Sequence, residues 1–280
     1  MEFLEAVGSR RSIRWFKSWK PVEEEKIQRV LEAARLTGCP GNLQPWRAVV
    51  VTADLVSPED RDRLLDAANR QRPHEQAPVW IYWFADPGAV VPDAFMAQIA
   101  LGIRLGVLPR AAGWSEEAAR AAIEEGNVVP EGMPPLHQTV HGVPAQIAGV
   151  IARQETIGAI TVATLAAVNE GLGTCLLSAV TPSEGASVYE VLGVPGHFLL
   201  VWLQLLGYPA EDPAAGGQRP REPFEALFAA GRWGTPLPRN PEVVRALEND
   251  GLLQPPAPLP GRDAELEHLA RMFGYPTEAT

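Results

Sequence analysis

Blocks of apolar residues with two different spacings follow one another along the first hundred positions of the chain. Apolar residues three and four positions apart predict helices over residues 2–8, 23–36 and around 94–105. Short apolar runs at 46–51 and 79–84, rich in β-branched and aromatic residues, predict buried strands with a helix between them. This part of the chain is therefore expected to alternate between helix and strand.

The pattern changes between residues 109 and 144, where Pro, Gly and Glu are frequent. A helix is predicted at 115–124 and a loop at 126–142, so we interpret 109–144 as a lid or excursion. Residues 156–169 are apolar nearly all round, which predicts a central helix buried on most faces. The apolar run at 198–206, bounded by glycines, predicts another strand.

The chain becomes rich in proline beyond Arg221. Residues 229–280 are therefore predicted to be a C-terminal extension of a domain formed by residues 1–228. Two short helices are predicted within the extension, near Val243 and Ala264. Such an extension could wrap around a partner subunit or lie on the surface of its own subunit.

Composition narrows the class of protein. The formal net charge of -10 disfavours a general nucleic-acid or anionic-membrane surface. No stretch offers the roughly 18 unbroken apolar residues of a membrane span, and the first residues lack the basic-then-apolar order of a secretory signal. We expect a soluble, cytoplasmic protein. Cys39 and Cys175 have no Cys or His nearby at metal-ligand spacing, so both are predicted to be free thiols.

Basic residues crowd the N-terminal segment in spite of the acidic total. In one short run, Arg10, Arg11 and Arg14 provide guanidinium groups, and Ser9 and Ser12 provide hydroxyl groups. Guanidinium groups match phosphate oxygens through paired hydrogen bonds. Taken alone, the run is either an anion site or a solvated basic turn.

A loop from Cys39 to Trp46 joins a predicted helix to a predicted strand, and Pro45 is expected to keep Gln44 extended. Asn42 and Gln44 carry side-chain amides, which offer both donors and acceptors to a heterocycle with mixed edges. The alternative is a turn in which Asn42 adopts an unusual backbone angle and Trp46 belongs to the core.

The predicted central helix ends at Gly171 and Gly173, and a short apolar segment from Leu176 to Ser178 follows. Glycine allows a planar ligand to approach the backbone closely. A glycine cap followed by a strand is the simpler explanation of a lone Gly-x-Gly pattern. Because the glycines close a helix instead of opening one, the motif is not a dinucleotide fingerprint.

A turn at residues 207–209 is followed by Arg219 and Arg221, which supply either more phosphate contacts or surface charge. The four motifs stand in the order found in the nitroreductase superfamily, which the chain resembles over residues 1–228. The resemblance implies an α+β fold with a central, mostly antiparallel sheet flanked by helices, in a domain-entwined homodimer. It also implies FMN as the cofactor and NADH or NADPH as the electron donor.

The resemblance extends to the residues that would bind FMN. The two basic motifs resemble the contacts to the phosphate and ribityl chain, and the loop at 39–44 resembles one that packs on the flavin from the other subunit. The segment at 176–179 resembles the backbone amides close to flavin N5 and O4. The implied residues are Arg10, Arg11, Ser12, Arg14, Cys39, Pro40, Gly41, Asn42, Gln44, Leu177, Ser178, Ala179, Arg219 and Arg221.

Three positions depart from the family pattern. Cys39 and Pro40 stand where many relatives have serine. Gln218 precedes a basic pair whose first member is often lysine in the family. These changes could alter individual contacts without abolishing binding.

The reaction implied by the resemblance is a ping-pong transfer of hydride from NAD(P)H, through the flavin, to an electron-poor small molecule such as a nitroaromatic, a quinone or an enone. No catalytic side chain and no metal ligand is predicted. The alternatives are a flavin-dependent dehydrogenase or oxidase, a reductive dehalogenase or a flavin-consuming enzyme on the same scaffold, or a flavin-binding protein without turnover.

The excursion at 109–144 contains three residues of chemical interest. His137 and His141 are candidates for a proton donor, although loop histidines are usually plain surface residues. Trp114 and His137 could cover the flavin face if the lid closes.

Overall fold

The centre of the computed structural model is a four-stranded antiparallel sheet with the strand order β1-β2-β4-β3. Its strands are β1 (Trp46–Val51), β2 (Val79–Ala85), β3 (Gly173–Leu177) and β4 (Leu199–Gly207). β2 and β4 are central, while β1 and β3 form the two edges. The structure describes residues 1–90, 92–118, 120, 145–178, 185–212, 217–256 and 267.

Helices cover both faces of the sheet. Those in the described residues are α1 (Phe3–Ser9), α2 (Glu24–Arg35), α3 (Pro58–Ala67), α4 (Arg72–Gln76), α5 (Pro92–Arg104), α6 (Ala145–Asn169), α7 (Gly185–Leu192), α8 (Phe224–Leu227) and α9 (Pro241–Asn249). α2 packs on α6 against one face, and α3 packs on α7 against the other. The predicted α+β architecture is thus confirmed.

The side chains of β2 alternate between the two layers of the core, as the two-residue period of a strand requires. Trp80, Tyr82 and Phe84 enter the cluster that contains residues of α3 and α7. Ile81 and Trp83 enter the cluster that contains residues of α2 and α6. All five are buried, which explains why this strand reads as a continuous apolar run.

One buried polar side chain links three elements on the α6 side of the sheet. Gln204 of β4 accepts a hydrogen bond from Trp83 Nε1 at 2.9 Å. Its Nε2 lies 3.3 Å from the hydroxyls of both Thr164 and Thr174. Both ends of the buried amide are therefore satisfied, as the cost of an unpaired buried polar group demands.

The N-terminal segment continues the sheet beyond β3. Ser12 forms a parallel bridge with Thr174, and the amide of Ile13 donates to the carbonyl of Thr174 at 2.9 Å. A Cβ on Gly173 would lie 2.9 Å from Cγ2 of Ile13. Gly173 therefore allows the basic segment to approach the edge of the sheet closely.

The central helix is longer than the sequence predicts, and one of its apolar stripes is exposed. α6 begins at Ala145, eleven positions before the predicted start at 156. Its Ala152 and Ala159 are fully buried. Along another stripe of the same helix, Val150 and Ile157 are 54% and 46% exposed. Within the predicted range 156–169 only Ile157, Thr161 and Asn169 are exposed, so burial on most faces is confirmed there. The apolar stripe of Val150 and Ile157 has no described neighbour that covers it.

Other elements agree with the predictions in part. The helix expected between the first two strands is two helices, α3 and α4, and α7 was not predicted. α9 confirms the helix near Val243 and begins with the Asn240 side chain accepting from the Glu242 amide at 2.8 Å. The second helix, near Ala264, lies outside the described residues.

Candidate functional site

The two basic motifs meet beside β3. Burial lowers the pKa of Arg10, and the positive charge of Arg221 lowers it further, while the nearby Cys175 acts in the opposite direction. Neither Arg10 nor Arg221 forms an ion pair with any residue in the described ranges. Two guanidinium groups that repel one another form a place where an anion would be stabilised.

Arg11 is more deeply buried than the other members of the basic run. Only 8% of the residue is exposed, and burial followed by the charge of Arg10 lowers its pKa. Its Nη1 donates to the carbonyls of Gly8 at 2.7 Å and Arg10 at 2.9 Å. Its Nη2 donates to Oε1 of Gln254. The guanidinium of Arg11 therefore braces the turn at the end of α1.

The remaining residues of this half of the predicted site lie around the same edge. The backbone amide of Arg14 donates to Glu211 Oε1 at 2.6 Å. Leu177 ends β3 and Ser178 follows it with an exposed side chain, whereas Ala179 lies outside the described residues. Beyond Thr174, no described segment pairs with the outer edge of β3. The edge therefore presents backbone groups that a ligand could pair with.

The loop at residues 39–44 lies before β1, at the opposite edge of the sheet. Three strand spacings separate β1 from β3, a distance of about 14 Å. The single chain therefore does not bring Cys39, Pro40, Gly41, Asn42 and Gln44 together with the basic motifs. The predicted site has two halves that lie apart in the single chain.

The backbone of this loop is held in a conformation that side chains rarely adopt. Gly41, Asn42 and Gln44 have φ values of 60°, 54° and 47°. The expectation that Pro45 keeps Gln44 extended was therefore wrong. The alternative that Asn42 adopts an unusual backbone angle is confirmed. Such strain persists only where the surroundings enforce it.

Several hydrogen bonds enforce the loop conformation. The amide of Gln44 donates to Cys39 Sγ at 3.2 Å. Arg47 donates through Nη1 to the carbonyl of Gln44 at 2.8 Å and through Nη2 to Asp86 Oδ2 at 2.8 Å. The other oxygen of Asp86 accepts from the amide of Gly88 at 2.9 Å. Sequence reasoning missed Arg47 and Asp86, because nothing in their local sequence connects them to the loop.

A large apolar pocket lies between the loop, α5 and residues 105–118, with a volume of about 840 Å³. Its walls include Phe95, Leu105 and Trp114, and its described lining contains no charged side chain. Asn42 Nδ2 donates to Gln98 Oε1 at 3.1 Å on its rim. Trp114, predicted to cover the flavin, is part of the wall, while His137 and His141 lie outside the described residues.

No helix in the described ranges is both long and apolar enough to cross a membrane. Within the same ranges, no group of three or more His, Cys, Asp or Glu residues is placed to hold a metal ion.

Comparison with known proteins places these features in context. The family model of the nitroreductase family matches residues 7–98. A protein named NADH dehydrogenase from Thermus thermophilus is 31% identical over 217 residues, which cover 78% of this chain and 91% of that protein.

Solved structures share the fold at lower identity. A protein described as a nitroreductase in complex with FMN, from Exiguobacterium sibiricum 255-15, superposes with a TM-score of 0.63 at 21% identity, covering 82% of this chain and 97% of that chain. A nitroreductase from Bacillus subtilis superposes with a TM-score of 0.58 at 18% identity, covering 100% of this chain and 88% of that chain. At these identities the superpositions establish the fold.

Proposed function

We propose that this chain, which belongs to the nitroreductase family, is an FMN-dependent NAD(P)H oxidoreductase that works as a homodimer. Membership of the family confirms the resemblance found in the sequence. The name of the Thermus relative supports a nicotinamide as the electron donor. The FMN in the Exiguobacterium structure supports FMN as the cofactor.

The observation that carries the proposal is the approach of Arg10 to Arg221 beside β3, where the charge of one arginine lowers the pKa of the other. Arg10 and Arg221, more than two hundred positions apart, bring their positive charges together here, and neither forms an ion pair within the described residues. The phosphate of FMN would relieve this repulsion, because guanidinium and phosphate match in geometry as well as in charge. Arg10, Arg14, Arg219 and Arg221 would hold it.

The outer edge of β3 is suited to the flavin ring. The backbone around Leu177 and Ser178 has no described strand partner on that side. Backbone amides at fixed positions stabilise negative charge without reorganising. These amides would orient the ring and stabilise the charge that develops on it during reduction.

When bound, FMN would supply the redox chemistry by taking hydride from NADH or NADPH and passing it to an acceptor in ping-pong order. The chain itself would orient the reactants and exclude water. No side chain is assigned as an acid or a base.

The division of the site supports a homodimer. The loop at 39–44 and the basic motifs lie at opposite edges of one sheet. A second copy would bring the loop of one subunit to the basic half of the other. The exposed apolar stripe of α6, with Val150 and Ile157, provides a surface on which such copies would pack.

The pocket beside the loop supports one class of acceptor. Its lining of Phe95, Leu105 and Trp114 and its lack of described charges favour an uncharged, flat, electron-poor molecule. Asn42 and Gln98 provide amide groups at the rim that could bond to a carbonyl or nitro oxygen. Quinones, enones and nitroaromatics share these properties.

The decisive experiment is an absorbance spectrum of the purified protein, followed by anaerobic addition of NADH and then of NADPH. We expect a yellow protein whose flavin band is bleached by at least one nucleotide and restored by a quinone. Arg10→Ala should lose bound FMN, whereas Arg35→Ala, which removes an exposed arginine of α2, should retain it.

Two other outcomes of the absorbance experiment would indicate that this protein has a different function. A yellow protein that neither nucleotide bleaches would favour a flavin-binding protein without turnover, or an enzyme whose own substrate reduces the flavin. A colourless protein that cannot be loaded with FMN would contradict the proposed function.

A further inference from the structure

We propose that Gln218 and residues 251–254, together called the clasp, are positioning residues for the FMN phosphate, an inference that rests on the proposed function. The clasp joins the end of α9 to the basic run that follows α1. It lies outside the region that the family model matches, which ends at residue 98. Its contacts fix the positions of the arginines that would lie on both sides of the phosphate.

Gln218 is the centre of the clasp. Its Nε2 lies 3.1 Å from the carbonyl of Gly8 and 2.5 Å from the carbonyl of Leu252. Its Oε1 accepts from the amide of Gln254 at 3.1 Å. One amide side chain thus ties the turn after α1 to the chain that follows α9.

Gln254 extends this network to the basic run. Its Oε1 accepts from Nη2 of Arg11, a residue that is only 8% exposed. Its Nε2 donates to the carbonyl of Gly251 at 2.8 Å, which fixes the orientation of the amide. Arg11 also donates to the carbonyl of Arg10, so that Gln254 acts through Arg11 on the backbone of Arg10.

The clasp packs so closely against α1 that Gly8 could not carry a side chain without displacing it. A Cβ on Gly8 would lie 2.1 Å from the carbonyl oxygen of Gly251 and 2.8 Å from Cα of Leu252. Gly217 forms an antiparallel bridge with Pro256 on the other side of Gln218. The two chain segments are therefore fixed relative to one another at several points.

This arrangement links the two basic motifs. Gln218 directly precedes Arg219 and lies three positions before Arg221, while Gly8 lies two positions before Arg10. Because Arg10 and Arg221 repel one another, they would move apart if they were not held. Holding them in place before the phosphate arrives reduces the ordering cost of binding. The clasp would therefore increase affinity for FMN through the phosphate alone.

The test compares two flavins that differ in the phosphate. The full-length protein is stripped of flavin, and FMN and riboflavin are titrated separately while the quenching of flavin fluorescence is followed. We expect Gln218→Ala and Gln254→Ala each to raise the Kd for FMN about tenfold and to leave the Kd for riboflavin within about twofold of wild type. Gln28→Ala, which removes an exposed glutamine of α2, serves as the matched control.

A third variant keeps the test decisive if one of the glutamine substitutions prevents folding. Gly8→Ala must displace the Gly251 carbonyl, and it should show the same selective loss of FMN. If FMN affinity is unchanged in all three variants, or if FMN and riboflavin affinity fall equally, the clasp has no specific role and the inference is wrong. Wild-type protein that binds neither flavin contradicts the proposed function itself, and the inference falls with it.

Discussion

The imidazole of His74 is fully buried between two aromatic rings and a guanidinium group. Its ring centroid lies 3.9 Å from that of Trp80, and its Nε2 lies 3.4 Å from the hydroxyl of Tyr82. The guanidinium of Arg61 lies over the Trp80 ring, 3.8 Å from its centroid. Burial, and then the charge of Arg61, lower the pKa of His74 to about 3. The histidine is therefore neutral in the folded protein at ordinary pH.

This shift makes stability depend on pH. The unfolded chain has a His74 pKa near 6.5, so between pH 6.5 and pH 3 it binds a proton that the folded chain does not. The free energy of unfolding should therefore fall as the pH falls through this range. From pH 6.5 to pH 5 the loss due to His74 is about 2 kcal/mol, measurable by urea unfolding at several pH values.

His74→Phe isolates this contribution, because it keeps a ring at the site and removes the titrating group. Whatever its absolute stability, the variant should lose that part of the pH slope. The control is His197→Phe, at a side chain that is 65% exposed, and it should keep the slope. An unchanged slope in His74→Phe would show that other groups cause the acid sensitivity.

Residue chemistry was the part of the site most readily predicted. Arg10 and Arg221 could be proposed as partners from their residue type and from the family order, and the structure places them together. The bond between Arg11 and Gln254 could not be predicted, because the two residues are 243 positions apart and no local pattern joins them. The positive φ of Gln44 could not be predicted either, because hydrogen bonds between Gln44 and the side chains of Arg47 and Cys39 impose it.

At the scale of elements, the loop at 39–44 depends on an anchor in β1. Arg47→Ala removes the bonds to the Gln44 carbonyl and to Asp86. Because 43% of the Arg47 side chain is exposed, we expect a loss of only about 1 kcal/mol in the free energy of unfolding. The rate of acceptor reduction should also fall, and by more than this small loss of stability would cause, since the loop borders the pocket. Both are measured by urea unfolding and steady-state kinetics.

Arg63→Ala is the matched control for the loop anchor. Its two ion pairs, with Asp60 and Glu190, are formed on the exposed surface and should contribute less than about 0.5 kcal/mol. If the Arg47 and Arg63 variants have the same kinetics, Arg47 does not position the loop.

The apolar stripe of α6 carries a prediction about assembly. Ile157→Glu places a charge in the middle of the exposed stripe, and we expect it to shift the protein from dimer to monomer in light-scattering measurements at micromolar concentration. Val243→Glu, on the 52% exposed Val243 of α9, should leave the dimer intact. A wild-type monomer, or an Ile157→Glu dimer, would contradict the proposed interface.

The elements themselves followed the sequence where the pattern was strong. β1 coincides with the predicted 46–51, and β2 and β4 differ from the predicted strands by one or two residues, because unbroken apolar runs between breakers leave few alternatives. α7 was missed because it is short and adjoins glycines. The exposed stripe of α6 was missed because an apolar sequence does not show which of its residues the chain itself covers. The domain boundary at 228 and the cytoplasmic location stay predictions.

At the scale of the whole molecule, the divided site predicts complementation between two defective chains. Arg10→Glu damages the basic half, and Gly41→Val displaces the loop, where a Cβ would lie 2.8 Å from Phe95 at a positive φ. Each variant alone should be nearly inactive. Random mixing of subunits should restore about one quarter of the sites, because each mixed dimer has one site built from two intact halves.

Complementation is measured as NAD(P)H-dependent turnover after the two variants are refolded together. The control is each variant refolded with itself. Activity in the mixture that does not exceed the sum of the controls would indicate that both halves come from one subunit.

The bond between Arg11 and Gln254 also has a consequence for synthesis. It joins positions 243 residues apart, so a nascent chain has exposed its basic run long before the residues that brace it leave the ribosome. A chain released early, for example by a stop codon before Gln218, would contain the whole sheet and most of the predicted flavin contacts but no clasp. FMN binding would then distinguish full-length chains from truncated ones. The amount of bound flavin would report how many molecules were translated to the end.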